Sequence, residues 1–293
     1  MFEKPDLTGK VALVTGSTRG IGKDILLSLA DCGCNVVSTG RTSKPLRSRE
    51  GTIHQTAKEA QARGNKSLAI KMNVRDKQEI YNAIDETINE FGRLDILINN
   101  AGAVLADIDN ITDMLDNMGS VETDSVEKFE KLFETNVRAA YICSRAAIPH
   151  MKKQDHGHIL MNSPPIGTHD ISGRAAYGIT KFGMTLLAKA LAEELREYSI
   201  GVNTFWPSTA IESRATQYYS IGTERDWRDP QIVSDAVLEI VSRHPDDCTG
   251  NAFYDEKLLQ EVGVEDFSQY NVVDGVEPEP YSALMFDPDY ERY

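Results

Sequence analysis

Segments with the pattern of β-strands alternate with segments of helical spacing from the start of the chain to about residue 254. Continuous apolar strands separated by helices are typical of a parallel sheet that is covered on both faces. The sequence therefore predicts an α/β fold: one doubly wound, Rossmann-type domain with a seven-stranded, mostly parallel sheet. The strand-like segments are Lys10–Thr15, Asn35–Thr39, Ser67–Lys71, Leu94–Ile98, His158–Asn162, Ile200–Phe205 and Asn251–Tyr254, and amphipathic helical stretches include Gly20–Ala30, Lys77–Phe91 and Tyr177–Tyr198.

The chain has 293 residues, of which 41% are hydrophobic, and this is enough for one large domain with a sizeable core. We predict a domain over residues 1–254, with an acidic insert at about 103–126, followed by a C-terminal extension over residues 255–293. Five aromatic residues in the extension predict that it packs on the domain; they are Phe267, Tyr270, Tyr281, Phe286 and Tyr290. No apolar run is long enough to cross a membrane, and no apolar signal sequence opens the chain, so we expect a cytoplasmic protein.

The net charge of −14 is concentrated in two segments. Residues 255–293 contain 11 acidic and 2 basic residues, and residues 103–134 contain 9 acidic and 2 basic residues. Nucleic acids and anionic membranes bind basic surfaces, so we expect neither as a partner. Carboxylates near a binding site repel anions, which favours a small, apolar carbonyl compound or alcohol as the substrate.

A glycine-rich turn follows the first strand and leads into the first helix. A dinucleotide pyrophosphate needs backbone amides at a helix N-terminus, with no side chain between these amides and the ligand. Glycines at these three positions allow a tight turn, a close approach of the backbone, and close packing of the helix on the strand. The turn predicts a dinucleotide site formed by Gly16, Ser17, Thr18, Arg19, Gly20, Ile21 and Gly22.

The end of the second strand predicts which dinucleotide binds. Sites selective for NAD place a carboxylate there for the ribose 2′-hydroxyl, but this strand ends in Ser-Thr-Gly and is followed by Arg41. A carboxylate would repel a 2′-phosphate, whereas Arg41 and Arg19 can bind one. Lys44 and Arg47 are further basic residues in this region. We therefore predict NADP(H) as the cofactor.

One tyrosine of the chain has a lysine four positions later, as Tyr177 and Lys181. Positions i and i+4 share one face of a helix, so the phenol and the ammonium group point into the same space. An isolated tyrosine has a pKa of about 10 and is a poor acid–base catalyst at neutral pH. A nearby cation favours the phenolate and lowers this pKa, which predicts a general acid–base role for Tyr177.

These features occur in the order found in the short-chain dehydrogenase/reductase family, which the sequence closely resembles from about Leu7 to Tyr254. The resemblance rests on the glycine turn, Arg41, Asn99-Asn100-Ala101-Gly102, Asn136, Ser163, Tyr177 and Lys181. Within the family, the sequence is most similar to the dehydrogenase domain of hydroxysteroid dehydrogenase-like proteins. The matching motifs are Gly51-Thr52-Ile53-His54, Ser163-Pro164-Pro165, Trp206-Pro207-Ser208-Thr209-Ala210-Ile211, Thr249-Gly250-Asn251, Asp255-Glu256, Leu258-Leu259 and Val264-Glu265-Asp266-Phe267.

The resemblance implies a role for each matching residue. Tyr177 would exchange a proton with the substrate oxygen, while Lys181 would hold the nicotinamide ribose and lower the Tyr177 pKa. Ser163 would hydrogen-bond the substrate oxygen, and Asn136 would anchor a water molecule in a proton relay. Besides the glycine turn, the implied cofactor-binding residues are Arg41, Asn73, Val74, Asn100, Ala101, Gly102, Tyr177, Lys181, Pro207, Thr209, Ala210 and Ile211. The resemblance also implies a homodimer or homotetramer that pairs through helices around residues 127–150 and 175–198.

Three residues depart from the family pattern. Pro164 stands where the second, catalytic serine of a Ser-Ser pair is usual, so either Ser163 moves into that place or another group polarises the substrate, with Ser172 as a further candidate. Asn73 replaces the usual aspartate beside the adenine and keeps one carbonyl acceptor, so we expect binding to survive. Ser208 replaces the usual glycine after Pro207 and is expected to reshape the nicotinamide pocket.

The remaining residues leave two alternatives open beside an alcohol/carbonyl oxidoreductase. One is a nucleotide-binding regulatory or scaffold protein without turnover, which the departures at Pro164 and Ser208 would suit. The other is a reductase of an enoyl-type C=C bond. We expect no metal site; the four cysteines, Cys32, Cys34, Cys143 and Cys248, lack zinc spacing and are interpreted as reduced, buried thiols. The segment Ser213–Arg228 is a candidate lid.

Overall fold

The computed structural model describes residues 2–45, 51–103, 121–166, 175–218 and 221–279. Seven strands form one sheet in the order β3-β2-β1-β4-β5-β6-β9, and every neighbouring pair in it is parallel. These strands are β1 (Val11–Thr15), β2 (Asn35–Gly40), β3 (Ser67–Lys71), β4 (Ile96–Asn99), β5 (Gly157–Asn162), β6 (Ile200–Trp206) and β9 (Ala252–Tyr254). Two short strands, β7 (Ala210–Ile211) and β8 (Trp227–Arg228), form a separate parallel pair.

Helices lie between the strands, and one more follows the last strand. In the described part of the chain they are α1 (Gly20–Asp31), α2 (Ile53–Gln61), α3 (Lys77–Phe91), α4 (Val126–Phe133), α5 (Ala139–Gln154), α6 (Ala175–Glu194), α7 (Arg214–Tyr218), α8 (Gln231–Ser242) and α9 (Asp255–Glu261). A π-helical turn, Glu134–Arg138, joins α4 to α5. Local caps explain several helix starts: the Asp76 carboxylate accepts from the first backbone N–H groups of α3, and the Ser125 hydroxyl accepts from one in α4.

The helices cover both faces of the sheet. Successive residues of a strand point to opposite faces, so Val14 and its neighbour Leu13 lie in two different apolar cores. The core that contains Val14 also contains buried residues of α1, α8 and α9, whereas the core with Leu13 contains residues of α3, α5 and α6. The strands are therefore buried from both sides, which explains why they are almost continuously apolar.

The described part of the C-terminal extension packs on the first of these cores. Leu258 and Leu259 of α9 are buried there together with Phe267 and Tyr270. The Tyr270 hydroxyl also donates a hydrogen bond of 2.7 Å to the carboxylate of Asp235 in α8. Residues 255–279 thus share a core with α1 and α8, while the division of the chain at residue 254 stays a prediction.

The structure confirms the predicted fold class. Ser67–Lys71 and Lys77–Phe91 have the predicted bounds, and five of the other strands differ from their predictions by one residue at one end. The strand predicted over Leu94–Ile98 differs at both ends and is Ile96–Asn99. All four cysteines are buried and free, as expected. Among the described helices, none is long and apolar enough to cross a membrane. Most of the acidic insert, together with Arg47, Ser172 and the aromatic residues after position 280, lies outside the described residues.

Candidate active site

The predicted site residues lie at the carboxyl ends of the central strands. The chain leaves β1 toward the helix α1 on one face, and after β4 it continues to α5 on the other face. Because β1 and β4 are neighbours in the sheet, a crevice opens between their carboxyl ends. Nucleotides bind at such a switch point in open α/β sheets.

The glycine turn has the geometry of a phosphate-binding loop. Gly16 has a φ angle of +71°, which favours glycine, and a Cβ atom on Gly22 would lie 2.3 Å from the amide nitrogen of Asn100. Helix α1 begins at Gly20 and has no acidic residue in its first turn. The first backbone N–H groups of a helix have no partner within the helix, so they are available to an anion at this turn.

The turn is fixed to the neighbouring strand β2. Ser17 donates its backbone N–H to Thr39 at 3.1 Å, and the Thr39 N–H donates to the Ser17 hydroxyl at 3.0 Å. On the other side, Gly51 has a φ angle of +79°, and a Cβ atom there would lie 2.1 Å from the carbonyl oxygen of Thr18. This contact explains why the motif at residues 51–54 begins with glycine.

Asn100 joins three of the strand ends. The backbone N–H groups of Asn100 and Ala101 donate to the Thr15 hydroxyl at 3.0 Å and 2.9 Å, and the Asn100 amide donates to the Thr15 carbonyl at 3.1 Å. The Asn162 amide, at the end of β5, donates to Asn100 Oδ1 at 3.1 Å. Hydrogen bonds therefore hold the ends of β1, β4 and β5 at fixed positions around the crevice.

The structure brings Tyr177 and Lys181 to the same space. Lys181 Nζ lies 5.8 Å from the centre of the Tyr177 ring and 5.2 Å from the centre of the Trp206 ring. It donates a hydrogen bond of 2.7 Å to the carbonyl oxygen of Asn162, and a Cβ atom on Gly102 would lie 3.6 Å from it. Burial lowers the pKa of Lys181 to about 7, since charging the amine there costs solvation.

Asn136 is fully buried in the π-helical turn and connects the two sides of the site. It exchanges two hydrogen bonds with the backbone of Ala103, at 2.8 Å and 3.0 Å, and it donates to the Thr180 hydroxyl at 2.9 Å. Thr180 in turn donates to the carbonyl oxygen of Tyr177 at 2.8 Å. The Asn136 side chain thereby positions the loop after β4 against the first turns of α6.

Ser163 is fully buried directly after β5, and its hydroxyl accepts a hydrogen bond of 3.1 Å from the Thr185 hydroxyl. Thr185 lies eight residues after Tyr177 on α6 and also donates to the carbonyl oxygen of Pro164 at 2.5 Å. The turn that contains Pro164 is thus attached to α6 below the Tyr177–Lys181 pair.

The residues predicted to select the nucleotide surround the ends of β2 and β3. Arg41 is exposed directly after β2, and Arg19 is half-buried at the start of α1. Val74 is buried, while the Asn73 side-chain oxygen accepts from the Arg75 backbone N–H at 3.2 Å. That oxygen is the acceptor that Asn73 was expected to keep for the adenine; it is shared with a local turn.

The Pro207–Ile211 segment directly follows Trp206, whose ring centre lies 5.2 Å from Lys181 Nζ. A Cβ atom on Gly20 would lie 3.7 Å from Cβ of Ser213, so the chain passes the glycine turn two residues after this segment. The buried oxygens Thr209 Oγ1 and Asn162 Oδ1 have no hydrogen-bond partner among the described residues. Unpaired buried acceptors, a glycine cradle that a side chain would fill and an uncapped helix N-terminus fit a dinucleotide.

Sequence reasoning missed three residues of this region: Asn162, Thr185 and Asp255. Asn162 supplies both the carbonyl that holds Lys181 and the amide that holds Asn100. Its position at the end of a strand that leads into the site is a signal that could have identified it. Thr185 lies one turn beyond Lys181, on the same face of α6. Asp255 belongs to a motif that the resemblance identified, but its hydrogen bond of 2.8 Å from the Ser208 backbone N–H has no local sequence signal.

Comparison with known proteins places these features in a family. The sequence model of the short chain dehydrogenase family matches residues 10–220. Hydroxysteroid dehydrogenase-like protein 2 from Homo sapiens is 36% identical over 272 residues, which are 92% of this chain and 62% of that protein. The protein of that name from Danio rerio is 37% identical over 276 residues. The chain thus spans about three fifths of the length of these relatives.

Solved structures agree with this result. A short chain dehydrogenase from Mycobacterium thermoresistibile is 35% identical, with a TM-score of 0.85 over 98% of this chain and 99% of that chain. A metagenomic short-chain oxidoreductase in complex with NADP is 25% identical, with a TM-score of 0.69 over 85% of this chain and 97% of that chain. The resemblance to the family and to hydroxysteroid dehydrogenase-like proteins is confirmed.

Proposed function

The chain belongs to the short-chain dehydrogenase family, and from this premise we propose that it is an NADP(H)-dependent oxidoreductase. The proposed reaction interconverts an alcohol with its aldehyde or ketone by hydride transfer. The family consists of oxidoreductases that use nicotinamide cofactors. Our proposal adds the choice of NADP(H), the reaction and the roles of the residues.

The arrangement of Tyr177 and Lys181 carries this proposal. An amine buried 5.8 Å from a tyrosine ring, with a hydrogen bond to the Asn162 carbonyl, costs solvation free energy. Such a cost in a crevice supports a functional role for the amine. The ammonium form of Lys181 favours the phenolate form of Tyr177, and a phenol tuned in this way exchanges protons near neutral pH. A protein that only binds a nucleotide has no need of such a group.

The remaining residues of the chain orient the reactants. Tyr177 gives a proton to the substrate oxygen in reduction and takes it back in oxidation, while Ser163 binds the same oxygen. Asn136 keeps Thr180 and the Ala103 backbone in place and thereby fixes the position of the pair on α6. The bound cofactor supplies or accepts the hydride, which is chemistry that no side chain of the protein provides.

Two observations support NADP(H) as the dinucleotide. The residue after β2 is the exposed Arg41, and β2 itself contains no carboxylate that would repel a 2′-phosphate. One similar solved protein holds NADP. The glycine turn, Asn73, Val74, Asn100–Gly102 and the Pro207–Ile211 segment would bind the rest of the dinucleotide.

The proposed substrate is a small, apolar alcohol or carbonyl compound, because the acidic insert and the acidic extension would repel anions. A homodimer or homotetramer and a cytoplasmic location remain predictions from the sequence. The names of the relatives refer to hydroxysteroids. A steroid-like ketone therefore belongs in any substrate screen beside short aldehydes and terpenoid ketones.

The test measures oxidation of NADPH by the purified protein with a panel of aldehydes, linear ketones, terpenoid ketones and a steroid ketone. We expect turnover with at least one apolar carbonyl compound and recovery of the corresponding alcohol. Tight NADPH binding without turnover on the whole panel would instead support a regulatory or scaffold protein. Reduction of a conjugated enone with the carbonyl left intact would support a C=C reductase.

A further inference from the structure

The C-terminal extension contacts the proposed nicotinamide-binding segment through Asp255. The carboxylate oxygen Oδ1 of Asp255 accepts the backbone N–H of Ser208 at 2.8 Å and that of Glu256 at 2.8 Å. The contact is set by the sheet, since Trp206 and Tyr254 are paired in the β6–β9 register and the chain leaves both strands directly after them. Asp255 therefore holds the beginning of the segment.

Arg228 holds the other end of the segment. Strand β7 pairs with β8, and the Glu212 backbone N–H donates to the Arg228 carbonyl at 2.8 Å. The Arg228 side chain is fully buried, and all of its described acceptors belong to the extension. These acceptors are Glu256 Oε1 at 2.5 Å, the Phe267 carbonyl at 3.1 Å, the Asn271 side chain and the Glu277 carboxylate.

The Asp255 carboxyl group is costly to the fold. Asp255 is only 2% exposed, and its second oxygen, Oδ2, has no hydrogen-bond partner among the described residues. Burial and the neighbouring Glu256 raise its pKa to about 7. A carboxyl group that is desolvated and half unsatisfied lowers stability relative to a neutral side chain of the same shape. Such a cost at the edge of a binding crevice indicates a task in the site.

The segment between these two holding points contains two buried hydroxyl groups, those of Ser208 and Thr209, without a hydrogen-bond partner among the described residues. We propose that Asp255 and Arg228 are positioning residues that fix the two ends of the Pro207–Ile211 segment, so that the C-terminal extension determines the affinity for the nicotinamide half of the dinucleotide. This inference rests on the proposed function, because it takes the segment as the nicotinamide-binding one.

The test compares two substitutions of Asp255 that differ in one property. Asp255→Asn keeps a side-chain oxygen that can accept the Ser208 N–H, whereas Asp255→Leu keeps the approximate volume and removes the acceptor. Asp255→Ala is the second variant without an acceptor, in case the branched side chain disturbs folding. Asp95→Ala is the matched control, because the fully buried Asp95 also accepts a backbone N–H, from Val11 at 2.9 Å. Asp95 lies at the amino ends of the strands, opposite the carboxyl ends where Asp255 lies.

The binding measurement uses NADPH and 2′,5′-ADP, which lacks the nicotinamide half. For Asp255→Leu and Asp255→Ala we expect the NADPH dissociation constant to rise about tenfold or more, since the buried acceptor of the Ser208 N–H is lost. The affinity for 2′,5′-ADP should be unchanged. Asp255→Asn and Asp95→Ala should bind both nucleotides as the wild type does, although Asp95→Ala should unfold at a lower temperature.

A second measurement needs no nucleotide. Hydrogen–deuterium exchange of the peptide that contains Ser208 should be slow in the wild type and Asp255→Asn and at least about tenfold faster in Asp255→Leu and Asp255→Ala. If the wild type binds neither nucleotide, the proposed function fails, and the exchange rates alone show whether Asp255 holds the segment. If the wild type binds NADPH but loss of the acceptor weakens both nucleotides equally, or neither, the inference is overturned while the proposed function stands.

Discussion

The two ends of the sheet, one at the amino ends of the strands and the other at their carboxyl ends, differ in how completely their buried polar groups are hydrogen-bonded. At the amino ends of the strands, the Asp95 carboxylate is fully buried and satisfied: it accepts from the Val11 N–H at 2.9 Å and from Arg93 Nε at 2.8 Å. Lys10 Nζ lies 3.8 Å from the same carboxylate and 3.0 Å from His156 Nε2. These groups satisfy one another without a ligand.

At the carboxyl ends of the strands, several buried polar groups lack part of their hydrogen bonding. Asn162, Thr209 and Asp255 each have one buried oxygen with no partner among the described residues. Each of them nevertheless lies next to residues that the family resemblance assigns to the dinucleotide. The difference indicates that the polar groups at the amino ends of the strands stabilise the fold. Those at the carboxyl ends keep hydrogen-bonding capacity for molecules outside the chain.

His158 is the exception at the amino ends of the strands. Both of its ring nitrogens are buried without a partner among the described residues, and burial lowers its pKa to about 3. The imidazole is therefore neutral at physiological pH, so it behaves as an apolar filler beside Gly201, where a Cβ atom would lie 3.3 Å from its Nδ1 atom. Apart from His158, the buried groups named at the amino ends of the strands are paired, whereas each of those named at the carboxyl ends has an oxygen without a partner among the described residues.

Removal of the Tyr177 hydroxyl, near the carboxyl ends of the strands, should have the largest effect on activity. For Tyr177→Phe we expect kcat/KM for carbonyl reduction to fall about 1000-fold, because general acid–base catalysis contributes roughly two to four orders of magnitude. Tyr198→Phe is the matched control, since Tyr198 lies on the surface with its ring over Lys152. Its kcat/KM should change by less than about twofold. Comparable losses in both variants would contradict the role of Tyr177.

Ser163→Ala tests whether the serine buried against Thr185 also binds substrate. We expect kcat/KM to fall about 100-fold, as for the loss of an aligned donor to the reacting oxygen. The control is Ser144→Ala, because Ser144 is also buried and its hydroxyl accepts from Asn99 at 3.4 Å. If activity of Ser163→Ala stays within about twofold of the wild type, its assigned role is wrong.

The pair Asp95→Asn and Asp255→Asn sharpens the comparison through stability. Asp95→Asn should lower the free energy of unfolding by about 2 kcal/mol at neutral pH, less than for a fully buried pair because Arg93 is partly exposed. Asp255→Asn should raise it at pH 8. The folded wild type keeps the Asp255 proton up to about pH 7 and the unfolded chain loses it near 3.8, so wild-type stability falls as pH rises between these values.

Urea unfolding at pH 4 and pH 8 measures this effect. The advantage of Asp255→Asn should be present at pH 8 and absent at pH 4, where the wild-type carboxyl group is protonated in the folded protein. An Asp255→Asn protein that is less stable than the wild type at pH 8 would show that its carboxylate is satisfied in the way the Asp95 carboxylate is.

Arg41→Ala should give the smallest of these effects. The NADPH dissociation constant should rise about tenfold, from the loss of a charge-assisted bond to the 2′-phosphate, while the NADH dissociation constant should stay nearly unchanged. Arg196→Ala is the control, since Arg196 pairs with Glu193 on the surface. Equal losses for NADPH and NADH would contradict the assignment of the dinucleotide. Both constants can be measured by protein fluorescence quenching.

Local pattern was sufficient to predict most of the fold. The apolar run Ser67–Lys71 and the amphipathic run Lys77–Phe91 have the predicted bounds because hydrophobic periodicity records which side of each element is buried. The spacing of Tyr177 and Lys181 was equally informative, because a helix converts four positions into one shared face. The order of the strands, and with it the position of the crevice, came from the structure.

Contacts between distant segments were not predictable. The bonds of Thr185 to Ser163 and of Asp255 to Ser208 join residues 22 and 47 positions apart, and the sequence near either partner contains no sign of the other. The same holds for the two-residue strands β7 and β8, whose pairing depends on Arg228 and the extension. Only the folded backbone brings such residues together, so their roles required the structure.

The burial of Arg228 has a practical consequence for shortened versions of the protein. A fragment that stops after Tyr254 would resemble a complete dinucleotide-binding domain, yet it would leave a guanidinium group enclosed without its acceptors. It would also uncover the apolar surfaces of α1 and α8 against which Leu259 and Tyr270 pack. Such a fragment is expected to aggregate during expression, and crystallisation or domain-exchange designs should therefore retain the chain through at least Glu277.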